Sequence, residues 1–270
     1  MDNNFKMPTE TVELPSKGLL YPKDHPLASG KIEMKYMTAK EEDILSNMNF
    51  IRKGTAIDKL LAALIVDKKV KYDDILIGDK NAIMVAARIL GYGKDYPVQY
   101  PHPDTDELEE VMVDLTSLDD KEIDFTQYEK GVNKFEMTLP ASKRVITYKL
   151  LNQRDERVID SELKSMKKIN PEIDSDITTR MKRTILSIDG DDKRQAINHF
   201  VDNEFLSRDS LHFRTEYAKM TPDVDMTADV VFSDGSERSI GVPMTPGFFW
   251  PNGWVQTRNS RRNIQSTILL

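Results

Sequence analysis

Apolar positions recur along this chain with two periods, and the changes of period divide it into segments. Val12-Glu13-Leu14-Pro15-Ser16-Lys17-Gly18-Leu19-Leu20-Tyr21-Pro22 is punctuated by Pro and Gly, and a second Pro-containing loop runs from Pro26 to Gly30. Residues 1–30 therefore read as an extended N-terminal arm with a turn. Ile32, Met34 and Tyr36 then alternate with Lys31, Glu33 and Lys35, which predicts a half-buried strand. Thr38, with Glu41 three positions later, forms a capping box and opens a short helix ending near Asn47. Thr55 caps a second helix whose stripe is Ile57, Leu60, Leu61, Leu64 and Ile65. Ile75-Leu76-Ile77 reads as a short buried strand or a turn contact. Asp79 opens a further helix with Ile83, Met84, Ala87 and Leu90 inward, ended by Gly91 and Gly93.

From Tyr96 the period falls to two. Tyr96, Val98 and Tyr100 alternate, as do Val111, Val113 and Leu115, predicting a hairpin with a long tip over Pro101–Glu110. A second hairpin pairs Phe135–Leu139 with Arg144–Leu150 across Pro140-Ala141-Ser142. Helical spacing returns at Asn152, with Val158, Ile159, Leu163 and Met166 as a stripe stopped by Pro171. Ile177, Met181, Ile185 and Ile188 suggest another helix. Asp189-Gly190-Asp191-Asp192 is a hinge or cap before a helix around Ala196–Val201. Leu206, Phe213, Tyr217 and Met220 mark a last helix, broken at Thr221-Pro222. Asp234-Gly235 turns a final hairpin between Met226–Phe232 and Arg238–Val242.

These elements predict an α+β fold: small helical bundle segments, several antiparallel β-hairpins and extended terminal arms. The expected units are the arm (1–30), a strand with short helices (31–93), a β-hairpin region (94–150), a helical region (151–220), a C-terminal hairpin (221–245) and an aromatic, basic arm (246–270). With 270 residues there is ample length for a core. A net charge of −7 argues against general nucleic-acid binding, although Arg258, Arg261 and Arg262 form a short basic tail. Cysteine is absent, so disulfides and thiolate zinc sites are excluded. With no apolar signal core and no apolar run of membrane-spanning length, a soluble, cytosolic protein is expected.

Candidate chemistry is sparse. His25, His102, His199 and His212 are scattered, without zincin spacing. Asp189–Asp192, Asp174-Ser175-Asp176 and Asp223-Val224-Asp225 lack the spaced ligands of a calcium loop and read as caps and turns. Ser161-Glu162-Leu163-Lys164 matches a Ser-x-x-Lys string without its companion motifs. No catalytic residue, cofactor or small-molecule substrate is expected. Both tryptophans instead lie in Gly241–Trp254, beside two adjacent phenylalanines, where Pro and Gly forbid a regular helix. Such a segment must dock on something, either its own core or a partner.

Taken in order, Val12–Pro22, Gly30–Asn47 and Gly54–Ile65, with Asp223–Phe232 and the Phe-Phe-Trp-Pro of Phe248–Pro251, resemble the base plate hub protein family of T-even-like contractile-tailed bacteriophages. The resemblance covers most of 10–118 and 195–254, and the charged middle, 119–190, poorly. It implies a non-enzymatic subunit of a phage tail baseplate hub, made in the host cytoplasm and retained in the tail. The implied partners are other hub or wedge proteins, with no nucleic acid and no membrane. Phe248, Phe249, Trp250 and Trp254 are the implied anchors, with Leu14, Leu19, Leu20 and Tyr21 next and His102 a contact at the hairpin tip. Alternatives are a transient hub assembly chaperone and, from another class, a tail-associated cell-wall hydrolase. The resemblance also implies a Cys-Pro-x-Cys metal knuckle at the first hairpin tip. Here Tyr100-Pro101-His102-Pro103 stands instead, so no metal is expected and packing or a partner must hold the tip.

Overall fold

In the computed structural model of the chain, residues 7–170, 172, 175–244 and 246–250 are described. The first hairpin frames the N-terminal part. Strand β1 (Thr9–Glu13) pairs antiparallel with β2 (Lys31–Lys35), Thr9 opposite Lys35 and Glu13 opposite Lys31. The other edge of β2 is occupied as well, because Val66 N donates to Glu33 O at 3.0 Å. The extended arm expected of residues 1–30 is instead, from residue 9 on, a strand followed by a packed loop. Its physical cause is the apolar run Leu14, Leu20, Tyr21 and Leu27, all of which are buried.

Four helices follow: α1 (Ala39–Ser46), α2 (Met48–Lys53), α3 (Ala56–Leu64) and α4 (Ile77–Tyr92); the pattern marks α1, α3 and α4, while α2, which buries no residue, has no apolar stripe to announce it. The Thr38 capping box forms, with Thr38 N and Oγ1 both donating to Glu41 Oε2. Burial raises the Glu41 carboxyl, but hydrogen bonds from Lys35 and Thr38 outweigh it and bring it down to about 2. Ile75–Ile77 is a contact point: Leu76 bridges Asn152, and Gln153 N donates to Ile75 O. Helix α4 begins two residues before Asp79. Its Gly78 passes so close to the backbone at Pro222 that a Cβ there would lie 1.8 Å from Pro222 O.

Strands β3 (Asp95–Pro101) and β4 (Leu108–Asp114) form a two-stranded ribbon with a tip shorter than expected, since Pro101 already pairs with Leu108. Strands β5 (Phe135–Thr138) and β6 (Val145–Tyr148) form the second hairpin, and β7 (Ile185–Ile188) adds to it in the order β5-β6-β7. That third strand corrects the sequence expectation. The spacing of Ile177, Met181, Ile185 and Ile188 suits one helix, yet α6 (Asp176–Thr184) stops and Ile188 pairs with Ile146. The segment Ile185–Ile188, with β-branched isoleucine at each end, meets an open strand edge, and tertiary pairing overrides the helical period. Helices α5 (Gln153–Ile169), α7 (Arg194–Asn203) and α8 (Ser207–Met220) lie where expected. Pro171, read as the stop of α5, lies outside the described residues.

The last hairpin, β8 (Thr227–Val231) with β9 (Glu237–Gly241), turns through Gly235 at φ 84°. The charged middle is stitched to the stretch before β8: Lys121 N donates to Asp223 O, and Asp225 N donates to Asp119 O. All these elements except α2 and α5 contribute to, or pack against, a hydrophobic core running from Leu14 to Phe249. The architecture is α+β, small antiparallel sheets set among short helices.

Candidate interaction segments

Three places were singled out by the sequence, and each is built around a buried contact within the chain. The first is the loop 14–30, which folds around a carboxylate. Asp79, 1% exposed on the first turn of α4, accepts Ser16 N at 2.9 Å, Ser16 Oγ at 2.7 Å and the Tyr21 hydroxyl at 2.7 Å. The Tyr21 oxygen in turn accepts Leu76 N at 3.0 Å. Burial raises the Asp79 carboxyl above its ordinary value, and the hydrogen bonds from Tyr21 and Ser16 work against that. Burial together with the neighbouring Asp79 charge pushes the Tyr21 phenol up as well. Gly18, at φ 74°, lets the loop cross itself, since a Cβ there would lie 2.4 Å from Gly30 N. Leu14, Leu20 and Tyr21 are thus core residues of this chain, and Leu19 is half-buried. His25 stacks on Tyr21, its Nδ1 accepting Leu27 N and its Nε2 facing Asp74 at 3.8 Å. An open hollow beside this loop is lined by Lys23, His25, Ser29 and Lys130.

The second place is the first hairpin tip. His102 is 8% exposed and sits edge-on to Phe232, ring centroids 5.2 Å apart. Its backbone N donates to Glu107 O, and its carbonyl accepts Asp106 N, which closes the tip. Its Nδ1 accepts Asp104 N, and its Nε2 lies 3.3 Å from Asp234 Oδ2 on the β8–β9 turn. Ser233 N also donates to Glu109 Oε1, so the two hairpin tips hold each other. Packing fastens this tip, with His102 as its centre.

The third place is the aromatic segment. Phe248 and Phe249 are 1% and 2% exposed and meet edge-to-face, and Phe248 meets Tyr96 the same way at 5.1 Å. The Tyr96 hydroxyl donates to Pro243 O at 3.0 Å. The half-buried Trp250 donates Nε1–H to Leu45 O at the end of α1, 3.1 Å away. The segment therefore closes over its own chain as far as Trp250. Trp254 and the arginines at 258, 261 and 262 lie outside the described residues.

Two residues that matter here carry no motif. Asp79 reads in sequence as a helix opener, and only the fold brings Ser16 and Tyr21 to it. Arg88 is 2% exposed with no carboxylate partner among the described residues: it donates to Gly93 O at 2.8 Å and Asp95 O at 3.1 Å, and its guanidinium lies over the rings of Tyr92 and Tyr96. It joins the end of α4 to the start of β3. An arginine in the last turns of a helix signals an exposed cation rather than this, so no sequence cue marks it. The acidic strings are structural too. Asp189 accepts Val145 N and pairs with Arg144, while Asp223 accepts Asn81 Nδ2 at 2.9 Å. Among the described residues, no three His, Asp or Glu side chains converge as a metal site, and no helix is long and apolar enough to cross a membrane.

A model of the family described as T4 bacteriophage base plate protein matches residues 7–208, more than half of the chain. The chain belongs to that family. The match begins just ahead of β1 and runs unbroken to the first residues of α8, so it includes the charged middle that the resemblance covered poorly. The β8–β9 hairpin and the aromatic segment lie beyond it. A structural role in a phage baseplate, among other baseplate proteins, follows from membership. Comparison with curated proteins and with solved structures finds no match to this chain.

Proposed function

We propose that this base plate protein is a non-enzymatic structural subunit of the baseplate hub, made in the host cytoplasm and kept in the virion tail. Membership of the base plate family over residues 7–208 carries the reading. The built-in clasps agree with it. The loop around Asp79, the paired hairpin tips and the aromatic segment each spend their apolar and polar groups on fixing a surface, as a scaffold subunit requires. Of the proposed anchors, Leu14, Leu20, Tyr21, His102, Phe248 and Phe249 set the positions of these segments from within. Contact with hub or wedge neighbours falls to Leu19 and Trp250, half-buried at the surface, and to Trp254 beyond them.

Lysine-directed cross-linking of isolated baseplates tests this. Lys40 at the start of α1 and Lys53 at the end of α2 lie within eight residues of Leu45, whose carbonyl Trp250 bonds, so both should cross-link to another baseplate protein. Cross-links from these lysines confined to this chain would contradict the proposed contact.

A further inference from the structure

The β3–β4 ribbon bears apolar residues on both faces, and its core packing covers one of them. Tyr96 and Val98 on β3 and Val111 and Val113 on β4 are buried. The alternate residues point outward: Pro97 lies opposite Met112, and Pro101 opposite Leu108. Leu108 is 71% exposed and Met112 54%, and both prolines are exposed as well. The same ribbon is acidic throughout. From Asp95 to Asp114 the chain holds seven Asp or Glu and no Lys or Arg. Lys94 pairs with Asp95 and Asp114 at the base of the ribbon, and Gln99 Nε2 donates to Glu110 at 3.4 Å. Asp104, Asp106, Glu107 and Glu110 are exposed and have no cation partner among the described residues.

Charge and reach together select what covers this face. Residues 251–270 lie outside the described residues, and their sequence is its complement. They hold Arg258, Arg261 and Arg262, no Asp or Glu, and a run of apolar residues from Ile264 through Ile268 to Leu270. The chain also enters this segment beside the ribbon. Phe248 packs edge-on against Tyr96 at 5.1 Å, on the inner face and one residue from Pro97. Trp250 is at most about 7 Å further along the chain, and the eight residues from there to Arg258 reach over about 26 Å when extended. Passing from the inner to the outer face of two strands about 4.8 Å apart takes less than that. The apolar strip from Met112 to Leu108 is about 14 Å long, which four or five extended residues span.

We propose that residues 258–270 seat on the outer face of β3–β4 of their own chain, with the arginines against the acidic tip and the apolar residues on Met112 and Leu108. Opposite charges bring the segment to this face, and apolar contact holds it there. A baseplate neighbour that uses the face must then displace the segment. The proposal stands on this ribbon and does not depend on which neighbours the chain contacts.

Site-directed photo-cross-linking of the full chain tests it. The chain has no cysteine, so a benzophenone maleimide on Met112→Cys reports what lies on this face. Irradiated in dilute protein at about 50 mM salt, it should cross-link within 258–270 of the same chain, as located by peptide mass spectrometry. About 500 mM salt should lower the yield. Arg258→Glu, Arg261→Glu and Arg262→Glu together should lower it roughly fivefold or more, as should Asp104→Lys, Asp106→Lys and Glu107→Lys together. A chain carrying both sets should recover it, because each reversed side then meets its complement. Met112, Asp104, Asp106 and Glu107 are exposed, and circular dichroism checks that each variant keeps its fold. Cross-links that fall outside 258–270, that join two copies, or that ignore salt and both charge reversals would overturn the proposal. A label that captures no part of this chain would overturn it as well.

Discussion

Asp79 shows at the scale of a single residue how this fold is locked. A buried carboxylate costs desolvation, and here three donors from a loop some sixty residues upstream offset it. Removing the acceptor would strand Ser16 N–H, the Ser16 hydroxyl and the Tyr21 hydroxyl in a dry site. Asp79→Ala should therefore lose about 3 kcal/mol or more of stability, read by urea denaturation. A loss below about 0.5 kcal/mol would mean that the loop does not depend on this carboxylate. None of this is legible in the sequence, where an Asp near a helix start reads as a cap. Ser16 and Tyr21 become its partners only after the loop has folded back onto α4.

At the scale of elements, the aromatic segment carries the sharpest decision. Its sequence demands a docking surface without saying whose, and the structure places Phe248 and Phe249 in the core of their own chain. Phe248→Ala should cost about 3–5 kcal/mol, because it opens a cavity beside Tyr96 and Phe249. Thermal unfolding of the purified protein measures this. A variant as stable as wild type that fails to join baseplates would instead make Phe248 a partner anchor. Most helices and hairpins were legible here, because capping residues at Thr38 and Asn152, the Asp234-Gly235 turn and clean periods all act locally. β7 was not. Its isoleucines fit a helical period, and only the free edge of β6, brought close by the fold, selects a strand.

Over the whole molecule, family and fold class were within reach of the sequence, while the exposed surface was not. The order of segments pointed to a phage baseplate, and the family match over residues 7–208 agrees with it. Which apolar residues face water depends on how the elements pack. Ile177, which its spacing places on the apolar stripe of a helix, proves to be half exposed. The central claim is that this chain is a resident structural part of the baseplate. Quantitative mass spectrometry on purified particles, compared with baseplate assembly intermediates, tests it most directly. The account predicts the chain in finished particles at a small fixed multiple matching the symmetry of the hub. Its presence in intermediates and absence from finished particles would contradict the account and make the chain an assembly factor that lets go.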